Sequence, residues 1–210
     1  MKRLGLVLLV TVALSGCGGS EPPVSKAVKA RGLTFAPDVA PHDQQWIRAA
    51  LKEARPEAGA LINDVDGMVT ITTGRFPGAP WVGLTQQSAP GVFQIKFNLA
   101  YLNGERKLDR NVTVLHEFGH VIDFAVTPEK LRDELAASLP SVGSCVTETR
   151  GDCAAPEERF ADTFAKWALR GAVSLAGAGY GVASPASLED WGAPLAKLAI
   201  DIDVDVATGE

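Results

Sequence analysis

Five consecutive residues, His116-Glu117-Phe118-Gly119-His120, place two imidazoles four positions apart with a carboxylate beside the first. On a helix, residues four apart stack on one face, so both rings can reach a single divalent cation while Glu117 sits next to them. Nitrogen ligands at that spacing suit one zinc ion, which lowers the pKa of a bound water toward neutrality. Glu117 is then placed to take that water's proton as it attacks a carbonyl carbon, the chemistry of peptide hydrolysis. The chain has 3 histidines, and two of them are in this motif. The other, His42, stands alone near a helix start and reads as structural or solvated.

Two imidazoles leave a four-coordinate structural or catalytic zinc site short of a protein ligand, so a carboxylate is required. The segment Pro156-Glu157-Glu158-Arg159-Phe160-Ala161-Asp162 supplies candidates. In a helix that buries Phe160 and Phe164, Glu158 and Asp162 stack four apart and face the histidine helix together. Glu158 is expected to bind the metal, and Asp162 to accept a hydrogen bond from the outer nitrogen of a ligand histidine. Asp123 lies seven residues beyond His116 and three beyond His120, on the same face. It either orients His120 or caps the helix end. Gly119 has a packing role, since a missing side chain lets another segment approach the helix beneath the metal.

The elements that must hold these groups are legible in the apolar periodicity. Positions 41–55 carry Trp46, Ile47, Ala50, Leu51 and Ala54 at helical spacing, and Leu61, Ile62 and Val65 extend the stripe past Pro56. A β-branched strand follows Asp66-Gly67, and two further extended runs, 81–86 and 91–99, flank the turn composition Ser88-Ala89-Pro90-Gly91. From Asp109 the period becomes helical, with Asp109 or Asn111 as cap and Thr127-Pro128 as the stop. Helices over 128–139 and from Pro156 onward are separated by a loop over 140–155. The run 173–184 is rich in Gly and Ala, 185–198 reads as a last helix, and the acidic end reads as frayed. The expected class is α+β: an N-terminal helix and a small mixed or antiparallel sheet, then an active-site helix and a mostly helical C-terminal part.

H-E-x-x-H followed on a later helix by E-x-x-x-D resembles the gluzincin branch of the zincin metallopeptidases. More locally, HEFGH joined to EERFADTFAKW is similar to the lethal-factor-like catalytic domains; the match covers about 116–167. The resemblance implies a zincin-like fold, Glu158 as the glutamate ligand and Asp162 as the acid behind it, with Glu157 the competing choice. Such enzymes commonly carry a tyrosine two helical turns before the glutamate, as donor to the developing oxyanion, where this chain has Gly151. Tyr180 is the chosen substitute, with Tyr101 and Arg150 as other donors. Zincins also bind extended peptides along an edge strand beside the active-site helix. The strand over 91–99 reads equally as that edge or as an ordinary buried strand.

The N-terminus reads as an export signal: Lys2 and Arg3, then an apolar stretch 4–14 too short to span a bilayer. Leu14-Ser15-Gly16-Cys17 resembles the bacterial lipobox, which implies cleavage after residue 16 and a lipid on Cys17. Residues 17–32 then form a tether, and 33–210 a single metallopeptidase domain on the outer side of the cytoplasmic membrane, in the bacterial cell envelope. The whole chain has a formal charge of -5, and losing Lys2 and Arg3 makes it more acidic, which argues against nucleic acid as partner. With Cys17 acylated, Cys145 and Cys153 are the remaining thiols, and an exported compartment favours their disulfide. The function expected is a zinc endopeptidase acting on peptides or proteins. Its rivals are a non-catalytic zinc-binding lipoprotein and an envelope interaction module.

Overall fold

The computed structural model describes residues 32–103, 108–140, 145, 150–173 and 181–208, the last six for the backbone alone. The class is α+β, with seven α-helices and one four-stranded mixed sheet among the described residues. The strands are β1 (Thr34–Phe35), β2 (Val69–Gly74), β3 (Gly83–Ala89) and β4 (Val92–Asn98), in the spatial order β1-β2-β4-β3. The helices are α1 (Pro41–Lys52), α2 (Pro56–Val65), α3 (Leu99–Leu102), α4 (Arg110–Ala125), α5 (Glu129–Ala137), α6 (Pro156–Ala168) and α7 (Leu188–Thr208).

The sheet decides between the two readings of residues 91–99. Residues 91–99 do not supply an edge: β4 is central, parallel to β2 through Ile71↔Ile95 and antiparallel to β3 through Thr85↔Ile95. Among the described residues the edge beside α4 belongs to β3, which spans 83–89 rather than 81–86. The predicted alternation holds in β4, where Phe93, Ile95 and Phe97 are buried. Asn98 breaks it. This buried amide caps α3, accepting from Ala100 N at 3.1 Å, and ties down the chain before β3 by donating to Phe76 O at 2.8 Å and Trp81 O at 3.2 Å.

The apolar stripe over 41–65 belongs to two helices, because Pro56 has no N–H and holds Arg55 in an extended conformation at ψ 153°. The tail is also more regular than its composition suggests. Trp191, Leu195 and Ala199, spaced by four, are buried, and the helix runs on to Thr208 instead of fraying after residue 198. No helix among the described residues is long and apolar enough to cross a membrane.

The central element is α4. Asp109 Oδ1 caps it, accepting from Asn111 N at 2.9 Å and Val112 N at 3.2 Å. Every residue from 114 to 123 is buried, because α4 packs against α6, α1, α2 and β3 at once. Leu115, Phe118 and Ile122 are fully enclosed, each contributing about 1.5–3 kcal/mol of transfer free energy. Four ionisable side chains, His116, Glu117, His120 and Asp123, are buried with them. Such groups require partners, and those partners define the site.

Candidate metal centre

Helices α4 and α6 touch backbone to backbone at Gly119. A Cβ there would lie 2.9 Å from Ala161 Cα and 3.2 Å from Ala161 O, so the missing side chain sets how closely the two helices approach. Gly119→Ala is expected to lower stability by about 1–3 kcal/mol through overpacking. Urea unfolding of the metal-free protein reads that loss, and an unchanged midpoint would mean that the helices yield without cost.

That close approach brings the first turn of α6 onto the histidines. Glu158 Oε2 lies 3.0 Å from His116 Nε2 and 3.3 Å from His120 Nε2. The two rings stand nearly perpendicular at 86°, with centroids 4.8 Å apart. Donor atoms of the three residues all lie within 4.8 Å of one another, so His116, His120 and Glu158 could hold a metal ion. The two carboxylate–imidazole pairs are near the roughly 3.3 Å that separates ligands about 2.0–2.1 Å from one tetrahedral ion, whereas the widest pair of the trio must draw closer for all three to bind it. Glu157, the competing carboxylate, is exposed on the other side and lines a cavity of about 110 Å³ with Asp123 and Arg132.

Burial opposes charge on His116, but the Glu158 hydrogen bond and the nearby Glu117 and Asp162 carboxylates outweigh it and raise its pKa. Burial likewise opposes ionisation of Glu158, yet its bonds to both imidazoles hold it far below the usual carboxylate range. A divalent cation held by the same atoms would compete with protons for them.

No family model, curated protein or solved structure matches the chain. What these residues can do therefore follows from their geometry and chemistry.

Two residues around the trio have partners that the sequence does not imply. Asp123 serves α5: its Oδ1 accepts from Arg132 Nε at 2.5 Å and its carbonyl from Arg132 Nη2 at 2.6 Å. Burial raises the Asp123 pKa against the pull of Arg132. Its described hydrogen bonds thus join α5 to the end of α4 and leave His120 aside. Asp162 Oδ2 accepts from Lys166 Nζ at 2.8 Å and from Val182 N at 3.1 Å, so this oxygen anchors the chain around residue 182. Its charge still reaches His116, but the expected histidine hydrogen bond is not among the described contacts. Lys166, buried beside it, went unnoticed in the sequence, although an acid and a base four apart on one helix were a visible signal.

Tyr101 donates its hydroxyl to Ala79 O at 2.7 Å, which occupies that donor away from the trio. Arg150 is exposed at the start of a short 3-10 turn, whereas Tyr180 and Cys17 lie outside the described residues. Cys145 and Cys153 form the expected disulfide, with Cα atoms 5.6 Å apart, just ahead of α6.

Glu117 has the partner that sequence reasoning missed. Thr85 Oγ1, on β3, lies 2.7 Å from Glu117 Oε2 and 3.1 Å from its carbonyl oxygen. Thirty-two positions separate the two residues, and no local pattern announces the contact.

Proposed function

We propose that this chain is a zinc-dependent endopeptidase of the zincin type, carried on a lipid tether at Cys17 and acting at the bacterial cell envelope. The observation that carries the reading is the convergence of two imidazoles on one distant carboxylate oxygen, at 3.0 and 3.3 Å, with a further carboxylate buried one residue from the first imidazole. His116, His120 and Glu158 would hold the ion. Zinc, when bound, acidifies a water and polarises the scissile carbonyl.

The remaining work belongs to the chain's own side chains. Glu117 accepts the proton of the attacking water and passes it to the departing amine. The edge that β3 presents among the described residues would offer backbone N–H and C=O groups to an extended peptide, and Thr85 on that strand touches Glu117, so a paired peptide would run past the base. Packing around α4 excludes solvent on the protein side, which strengthens every charge interaction inside.

A second reading is a zinc-binding lipoprotein without catalysis, favoured by Gly151 standing where related enzymes carry a tyrosine donor and by Tyr101 being bound to Ala79. One experiment separates them: purified chain, assayed for zinc and incubated with a diverse peptide library, with and without chelator. Chelator-sensitive cleavage and about one zinc per chain are the expected results. Stoichiometric zinc without cleavage favours the second reading, and absence of zinc removes both.

A further inference from the structure

We propose that Thr85 and Gly83, on the edge strand β3, are positioning residues for the general base Glu117; this rests on the peptidase reading above. Residues two apart on a strand share a face, so Gly83 and Thr85 meet α4 together. Thr85 donates its hydroxyl proton to Glu117 Oε2 at 2.7 Å, the shorter and charge-assisted of its two contacts. Gly83 leaves the room: a Cβ there would overlap the other carboxylate oxygen and lie 2.6 Å from both Cγ and Cδ of Glu117. One strand residue thus grips the carboxylate, and the other admits it.

The arrangement also explains why a carboxylate only 4 % exposed is tolerated inside the fold. It has a consequence for turnover. The strand that would pair with the substrate also aims the base, so the peptide bond and the proton acceptor share one rigid reference. A displacement of about 1 Å at such a site lowers rate by up to about 100-fold.

The test compares wild type with Thr85→Val, Thr85→Ser and Gly83→Ala for zinc content and for kcat and KM on a cleaved library peptide. Thr85→Val and Gly83→Ala are expected to keep about one zinc and lower kcat about 10- to 100-fold, with KM within about twofold. Thr85→Ser should recover most of the loss, and Thr85→Val should cost nothing further in a Glu117→Gln background. Undiminished kcat in Thr85→Val, or an equal loss in the Glu117→Gln background, overturns the proposal.

A readout independent of turnover is the urea midpoint of the zinc-free wild type, Thr85→Val, Glu117→Ala and the double variant. Non-additive midpoints support the grip. Additive midpoints overturn it whatever the chain hydrolyses. Coupled midpoints in a chain that cleaves no peptide sink the peptidase reading while leaving Thr85 as the partner of Glu117.

Discussion

Glu117→Gln is expected to retain about one zinc per chain and lose about 100- to 10,000-fold in peptide turnover, the range that proton transfer by a placed side chain contributes. The substitution keeps the size and shape of the side chain, and its amide oxygen can still accept from Thr85, which now lies 2.7 Å from the carboxylate. His116, His120 and Glu158 are untouched, so metal binding should survive. What disappears is the capacity to take a proton, because an amide oxygen is a very weak base. Metal analysis beside hydrolysis of a library-derived peptide checks both halves. Undiminished turnover would remove Glu117 from the role of base, and loss of zinc would mean that its charge supports the ion and not the water.

Much of this site was legible because helical periodicity is local. His116 and His120 stack for the same reason that Val112, Leu115, Gly119 and Ile122 share a face, and the motif sits within the helix that this apolar spacing defines. The α+β class and the Cys145–Cys153 pairing followed from equally local signals, the change of period and the count of thiols. The choice between Glu157 and Glu158 did not. Either could face inward on the first turn of α6, and what decides is the crossing of α4 and α6 at Gly119 and Ala161, which turns Glu158 to the imidazoles and Glu157 outward.

The sheet hid more. Alternation in 92–98 reveals a buried face but not neighbours, so nothing in the sequence placed β4 between β2 and β3. The choice between edge and buried strand for 91–99 consequently stayed open, and Thr85 and Gly83 escaped notice. Polar partners were hidden for a related reason. Asp123 and Asp162 share the face that the helical wheel gives them, yet Arg132, nine positions on, takes Oδ1 of the first, and Lys166, four positions on, takes Oδ2 of the second. Face is a property of one element, whereas partnership depends on how two or three elements meet.

Removing the carboxylate that both imidazoles share is the second large effect. Glu158→Ala should weaken zinc binding by more than about 100-fold, since even groups that only support a ligand cost 10- to 100-fold. The two histidines remain on one face of a buried helix, but two nitrogens alone do not hold zinc tightly against solvent and competing chelators. Glu157→Ala is the matched control: its side chain is exposed on the side of Asp123, so the affinity should stay close to that of the wild type. Competition titration against a chromophoric chelator measures both variants on one scale. If Glu157→Ala loses the metal and Glu158→Ala keeps it, the third ligand is misassigned. If neither loses it, the ion is held by groups other than the two imidazoles and Glu158, and the hydrolytic reading has no centre to act from.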